Sequence, residues 1–247
     1  MHNLLFLFMK FILLSVVGYI AETIFCFIQD KKFVNRGFLC GPIIPIYGIG
    51  CLFLGYFLSS FKDNFLIVVL LGMFITSLLE YVTSYLLEKI FHNKWWDYSN
   101  QKFNLNGRIC LQNSLLFGLF SPLVVYVLNP YSEKLLEMIP LKLFDIISLL
   151  VLIIYLIDSI YSIKIAYNLR DRIILVESLK SQKLAMIPGV LEMKLKKGLD
   201  NLKDVSLYPK RLLQSFPNLM SHNEKEFKIM KEYALKAKKN KKNKNVK

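Results

Sequence analysis

Long apolar runs alternate with short polar stretches along the first two thirds of the chain. A helix needs about 20 apolar residues to cross the hydrocarbon core of a bilayer. Runs of that kind occur five times, near residues 4–28, 38–58, 65–87, 110–128 and 143–163. The pattern therefore predicts an all-α fold, a polytopic membrane helix bundle of about five transmembrane helices, with a transmembrane domain over residues 1–163.

The second apolar run differs from the others because it contains "RGFLCGPIIPIYGIG", residues 36–50. Glycine and proline disfavour a regular helix, although proline is tolerated in a helix's first turn. We expect a short or re-entrant helix that starts at Pro42 and dips from the cytoplasmic side. Its N-terminus, with Arg36 beside it, would face a polar cavity and attract anions. The alternative is that the run serves close helix packing, through Gly41, Gly48 and Gly50.

Charge is concentrated behind the apolar region. Residues 164–247 hold 21 of the 32 lysines and arginines but only 8 of the 18 acidic residues. Apolar periodicity over Ile165–Leu184 predicts an amphipathic helix within a basic cytoplasmic region, residues 164–235. The Lys/Asn-rich residues 236–247 are predicted to be disordered. This tail would attract anionic lipid, while the lack of interleaved aromatic residues argues against nucleic acid as a partner.

The short polar stretches predict the orientation of the spans. Residues 29–37 and 88–109 carry more Lys and Arg than residues 59–64 and 129–142. Basic loops stay in the cytoplasm. The sequence therefore predicts an N-terminus outside and a C-terminus in the cytoplasm.

Three acidic residues interrupt the apolar spans: Glu22, Glu80 and Asp158. At 1.5 Å rise per residue, each lies roughly 8–10 Å below the cytoplasmic end of its predicted span. Ionisable groups at such depth are costly and mark functional sites by default. Arg36 and Arg108 stand at the same face, so we predict that Glu22 and Glu80 pair with these arginines, partners unassigned. The alternative is that such pairs only staple the bundle or that the glutamates are protonated.

The predicted cytoplasmic loop 88–109 combines aromatic and polar residues. Trp96 and Tyr98 suit a membrane interface. Asp97, Asn104 and Arg108 follow closely, so the loop is also a candidate lid over a polar cavity. Neither interpretation follows from the sequence alone.

Several chemistries lack their sequence signals. The four cysteines have no CxxC spacing and the three histidines are scattered, so we predict no metal site and no cofactor. No GxxxxGK[ST] motif is present, and no histidine lies near a candidate nucleophile. These absences make an enzymatic role the less favoured interpretation.

Five short segments together resemble the bacterial putative ABC-transporter type IV membrane protein family. They are "RGFLCGPIIPIYGIG", "LLEYVTSYLLEKIF", "WWDYS", "FNLNGRICL" and "FPNL". The resemblance covers about residues 10–125, with weaker similarity to about residue 220, and implies a multi-pass permease-like protein of the bacterial cell membrane. It also implies a separate ATPase chain as partner. The positions of interest, from these motifs and from the polar layer, are Glu22, Arg36, Gly37, Gly41, Pro42, Tyr47, Glu80, Trp96, Asp97, Tyr98, Asn104, Arg108 and Asp158.

Three functions remain open at this point. The first is a permease-like transporter component with a polar cavity open to the cytoplasm; with so few spans, it would act as a homo-oligomer. The second is a non-transporting membrane scaffold or regulator. The third is a membrane-embedded enzyme that acts on a lipid or isoprenoid phosphate, held by the arginines.

Overall fold

A computed structural model of the chain describes residues 2–31, 35–91 and 94–181. Helices dominate this part, and Met1–Lys164 forms one compact unit. The elements in chain order are α1 (His2–Asp30), α2 (Pro45–Leu58), a 3-10 turn (Ser59–Phe61), α3 (Phe65–Phe91), β1 (Asn104–Leu105), β2 (Ile109–Cys110), α4 (Leu111–Leu123), a π-helical segment (Val124–Leu128), α5 (Asn129–Glu137) and α6 (Leu141–Ser181).

Among the described residues, four helical segments are long and apolar enough to cross a membrane. They are His2–Ile28, Phe65–Phe91, Leu111–Glu137 and Leu141–Tyr167, and the apolar helix Pro45–Phe61 is shorter. Large apolar side chains such as Phe74 and Ile154 are about two-thirds exposed, as expected for a surface that faces lipid. The predicted all-α membrane bundle with a short second helix is confirmed.

The predicted start of the second helix at Pro42 is wrong. The helix begins at Pro45, and residues 38–44 are irregular. Proline at the first helical position loses no hydrogen bond, because that N–H has no partner within the helix. A start at Pro42 would instead place Pro45 at the end of the first turn. The irregular stretch is tied to α1, because the Ile44 N–H donates to the Ser15 carbonyl at 3.3 Å.

The helix of the fourth predicted span does not end at residue 128. The helix passes through the π-helical segment and continues to Glu137. Asn129 makes this continuation compatible with burial, because its Nδ2 donates to the carbonyls of Cys51 (3.0 Å) and Val124 (3.2 Å). Pro122 lies just before the π-helical segment and removes one backbone donor from α4. The polar residues after position 128 therefore extend a helix rather than form a loop.

The last apolar span and the start of the predicted amphipathic helix form one continuous element. Helix α6 runs for 41 residues, from Leu141 to Ser181. The remainder of the predicted basic region and the predicted disordered tail, residues 182–247, lie outside the described residues.

Small residues let the helices approach closely. A Cβ at Gly48 in α2 would overlap Ser15 and Phe11 of α1, and one at Gly72 in α3 would overlap Ser121 of α4. Close backbone approach of this kind is how helices gain packing energy within a membrane. The contacts join α1 to α2 and α3 to α4, and they position the polar side chains of these four helices.

Candidate functional site

The first polar pair joins α1 to α2. The Tyr47 hydroxyl donates to Glu22 Oε2 at 2.7 Å, and Cys26 Sγ lies 3.6 Å from Glu22 Oε1. Arg36 Nη1 lies 3.9 Å from the same Oε1, within ion-pair range. Tyr47 comes close to α1 because Gly18 has no side chain, and a Cβ there would overlap the tyrosine. The structure thus places Glu22 between a tyrosine hydroxyl and an arginine.

The second polar pair joins α3 to the loop after it. The Tyr98 hydroxyl donates to Glu80 Oε1 at 3.1 Å. Glu80 is only 7% exposed, and its Oε2 has no hydrogen-bond partner among the described residues. Burial, followed by the neighbouring Glu80 carboxylate, raises the pKa of Tyr98 far above its usual value. Tyr98 therefore keeps its proton and acts as a donor.

The two pairs belong to one layer of the bundle. Helix α2, which carries Tyr47, packs on α3, which carries Glu80, since a Cβ at Gly50 would lie 3.3 Å from Leu79 Cδ2. We call Glu22, Tyr47, Glu80 and Tyr98 the carboxylate–tyrosine layer. Four elements contribute to it, since each residue comes from a different helix or from the loop after α3.

Of the two arginines predicted to pair with Glu22 and Glu80, Arg36 lies beside Glu22, whereas Arg108 pairs with Glu88. Arg108 Nη1 lies 2.6 Å from Glu88 Oε2, and the guanidinium packs over the rings of Tyr81 and Tyr85 at 5.6 and 5.4 Å. Glu88 follows Glu80 by eight residues, or about 12 Å along α3. The loop that carries Arg108 meets the end of α3, where Glu88 is the nearer carboxylate.

Hydrogen bonds within the loop after α3 hold Tyr98 in place. The Tyr98 N–H donates to the Gly107 carbonyl at 2.8 Å, and Trp96 Nε1 donates to the Arg108 carbonyl at 2.9 Å. The strands β1 and β2 pair antiparallel, with Asn104 opposite Cys110. Asn104 Oδ1 also accepts the Gly107 N–H at 3.0 Å. Trp96 and Asn104 therefore shape the loop that delivers Tyr98 to Glu80.

The turn of this loop requires a glycine. Gly107 has φ of 68°, in the left-handed region, and a Cβ there would overlap Asp97 Oδ1 and Ser99 Oγ. Asp97 Oδ1 in turn accepts from the Ser99 N–H (3.0 Å) and hydroxyl (2.5 Å). Asp97 thus has a structural role in the loop.

Asp158 of α6 contacts the irregular stretch before α2. Its Oδ1 accepts the Cys40 N–H and its Oδ2 accepts the Gly41 N–H, both at 2.9 Å. The Ser162 hydroxyl also donates to Oδ1, at 3.2 Å. A Cβ at Gly41 would lie 3.2 Å from Oδ2, so a side chain would crowd this contact. Two backbone donors of the predicted anion-attracting segment are thus taken by a carboxylate of the same chain.

The remaining predicted residues before α2 line the same stretch. The Gly37 N–H donates to Asn35 Oδ1 at 2.9 Å, and Gly37 is buried. Pro42 is exposed. Neither contacts the carboxylate–tyrosine layer by a hydrogen bond that the described residues show.

Sequence reasoning missed several polar residues next to the layer. The Ser77 hydroxyl donates to Ser114 Oγ at 2.8 Å, which joins α3 to α4. Ser77 precedes Glu80 by three residues and therefore shares its helix face, which was the available signal. Among the described residues, no group of three or more His, Cys, Asp or Glu side chains is arranged to hold a metal ion.

Comparison with known protein families identifies the family to which the chain belongs. A model of the putative ABC-transporter type IV family matches residues 9–163. The chain belongs to this family. The match confirms the resemblance seen in the sequence motifs, and it includes every residue of the carboxylate–tyrosine layer. No curated protein and no solved structure matches the chain.

Proposed function

We propose that the chain is a permease-like component of a membrane transport system and that its substrate contacts the carboxylate–tyrosine layer from the cytoplasmic side. The description of its family supports transport as the general activity. Four segments with the length and apolarity of membrane spans support an integral membrane location. The bacterial cell membrane, with the N-terminus outside, is part of this proposal and follows from the basic loops.

The observation that carries the proposal is the pair of glutamates inside apolar helices. Glu22 lies in α1 and Glu80 in α3, and each accepts a hydrogen bond from a tyrosine of another element. Carboxylates at membrane depth are costly and tend to line substrate or ion pathways. Hydroxyl partners moderate that cost, and Glu80 Oε2 has no hydrogen-bond partner among the described residues, so the layer can bind a further group.

The loop after α3 serves as the lid of this site. Tyr98 closes over Glu80, and the loop's own hydrogen bonds make it a preformed unit. Access to Glu80 from the cytoplasm then requires the Tyr98 hydroxyl to leave Oε1. Gating loops that move as units are common where a site must be closed to water.

The energy source is a partner chain. The sequence has no phosphate-binding GxxxxGK[ST] motif, so an ABC-type mechanism needs an ATPase subunit on another chain. This subunit would dock on the cytoplasmic loops, and a homo-oligomer would supply enough helices for a pathway. Anionic lipid at the basic tail completes the proposed partners.

Isolation of the protein from its native membrane tests the proposal. We expect a chain that carries a GxxxxGK[ST] motif to copurify with the tagged full-length protein in mild detergent. The same chain should copurify with Glu80→Gln, because the substitution lies inside the bundle and away from a docking surface. If chemical cross-linking before solubilisation captures no ATPase with either protein, the transport proposal is contradicted.

One set of contacts favours the scaffold as a second candidate. Asp158 and Arg108 are both engaged within the described residues, by Cys40 and Gly41 and by Glu88 respectively. These polar groups hold elements together and are not presented to a substrate. A scaffold would purify without an ATPase, so the same isolation experiment separates the two functions.

The pairing of Arg108 with Glu88 argues against the third function, an enzyme whose two arginines together bind a phosphate.

A further inference from the structure

We propose that Glu80 binds the ammonium group of an organic cation and hence that the transported substrate is an amine. This inference rests on the proposed transport function and specifies its substrate class. The two glutamates of the carboxylate–tyrosine layer differ in their polar partners. Glu22 has an arginine within ion-pair range, and Glu80 has only a hydroxyl.

Glu80 is an incomplete site as it stands. The residue is 7% exposed, and Tyr98 satisfies Oε1, whereas Oε2 is buried and has no hydrogen-bond partner among the described residues. A buried carboxylate without a cation or a full set of donors is strongly destabilised. A group that brings both positive charge and N–H donors would satisfy Oε2 and balance the charge together.

The basic side chains of the bundle do not fill this role. Within the part of the chain that the structure describes, no lysine or arginine lies at ion-pair distance from Glu80. The cations whose acidic partners are seen pair elsewhere, as Arg36 with Glu22, Arg108 with Glu88 and Lys10 with Glu133. A cation brought by another molecule would complete the set of partners of Glu80.

The surroundings of Glu80 favour an organic ammonium over an inorganic ion. Tyr98 and Tyr47 are bound to the two glutamates through their hydroxyl groups, and the Phe117 ring lies 6.5 Å from that of Tyr47, so the layer contains aromatic side chains. Aromatic faces attract ammonium groups and accept their apolar substituents. A hard metal cation would instead need six or more oxygen ligands. Here the carboxylate supplies charge and one open acceptor, which matches an N–H donor.

Ligand-induced thermal stabilisation tests the proposal on the purified full-length chain in detergent. The probe is n-butylammonium chloride near neutral pH, with sodium chloride at equal ionic strength as the reference salt. A ligand that binds only the folded protein raises the unfolding temperature in a saturable way. We expect saturable stabilisation by butylammonium of the unaltered chain, and affinity at least about tenfold weaker in Glu80→Gln, because loss of a charge-assisted contact costs more than that factor.

Two further variants make the result specific. Glu137→Gln removes an exposed carboxylate from α5 and should leave the butylammonium response unchanged. Tyr98→Phe keeps the Glu80 charge and removes its hydroxyl partner, so binding should persist. If Glu80→Gln proves too unstable to measure, Glu80→Asp replaces it, and the shorter side chain should weaken the response without abolishing it.

Two results would overturn the proposal. The first is an equal butylammonium response in the unaltered chain and in the Glu80 variants. The second is no saturable butylammonium response of the unaltered chain, and a Glu80→Gln variant at least as stable as that chain would then show that Glu80 is protonated. Neither result depends on an ATPase partner. Copurification of the ATPase without amine binding would therefore contradict the substrate class and leave the transport function standing.

Discussion

Two glycines of α2 differ in what surrounds them, although they lie only two residues apart. A Cβ at Gly48 would lie 2.7 Å from the Phe11 carbonyl oxygen, which is backbone of α1 and cannot give way. A Cβ at Gly50 would lie 3.3 Å from Leu79 Cδ2, the far end of a flexible side chain. Both glycines are buried within the same helix. Packing therefore decides the effect of a side chain at Gly48, whereas at Gly50 a flexible neighbour leaves helix propensity to decide it.

We predict opposite effects for alanine at these two positions. Gly48→Ala should lower the free energy of unfolding by about 1–3 kcal/mol, as overpacking of a tight contact does. Gly50→Ala should be neutral or should stabilise by up to about 1 kcal/mol, since alanine favours helix over glycine. Thermal unfolding of both variants in the same detergent measures the difference. Equal effects would mean that α1 and α2 are not in the close contact described.

Individual partners were only partly predictable from the sequence. The cost of a buried charge was enough to expect arginines near Glu22 and Glu80, and Arg36 does lie beside Glu22. The partner of Arg108 was beyond this argument, because two glutamates of α3 stand before the same loop. Whether Arg108 pairs with Glu80 or with Glu88 depends on the geometry of the hairpin loop. The order of charged residues along the chain does not determine this geometry.

At the scale of elements, the stretch before α2 depends on a helix that is distant in the sequence. Its backbone donors at Cys40 and Gly41 are accepted by the Asp158 carboxylate of α6. Irregular backbone at membrane depth is tolerated only when such groups find partners. The sequence of this stretch does not favour a helix, so its backbone donors need partners elsewhere. Asp158 therefore stabilises the stretch by accepting two of them.

We predict that Asp158→Asn loosens this stretch. The amide offers one acceptor oxygen in place of two, so one of the N–H groups loses its partner, at a cost of about 1–3 kcal/mol. Cys40 should then react faster with a small maleimide, as read from the modified peptide by mass spectrometry. Asp145→Asn is the matched control, because Asp145 is also in α6 but lies 3.2 Å from His2 instead. An unchanged rate at Cys40 would show that Asp158 does not hold the segment.

The pattern of apolar residues predicts the spans better than it predicts the ends of the helices. The spans themselves follow from apolar run length, which is why α1, α3 and α6 were predictable. The extension from residue 128 to Glu137 was not, because "NPYSEKLLE" is polar and contains a proline. Helix continues there because Asn129 donates to Cys51 in α2 and proline at the start of α5 is tolerated. A tertiary hydrogen bond and the position of a proline decide the helix here, and neither can be read from the polarity of the segment.

At the scale of the whole molecule, the predicted orientation decides which side of the membrane the carboxylate–tyrosine layer serves. The hairpin loop that carries Tyr98 and Arg108 is basic, and so is the sequence after α6. The turn at Lys62 lies toward the opposite end of α3. If basic segments remain in the cytoplasm, the loop is cytoplasmic and the turn is outside.

Labelling of one cysteine introduced at an exposed position, in intact cells, tests this orientation. A membrane-impermeant maleimide should modify Lys62→Cys without permeabilisation and should modify Gln101→Cys only after it, since both positions are exposed and lie at opposite ends of α3. The unaltered chain, whose four cysteines form no disulfide and are buried or half-buried, gives the background. The reverse pattern would place the Tyr98 lid and the access to Glu80 outside the cell. An ATPase docked in the cytoplasm could not then act through that loop, so the proposed coupling would fail even if Glu80 binds amines.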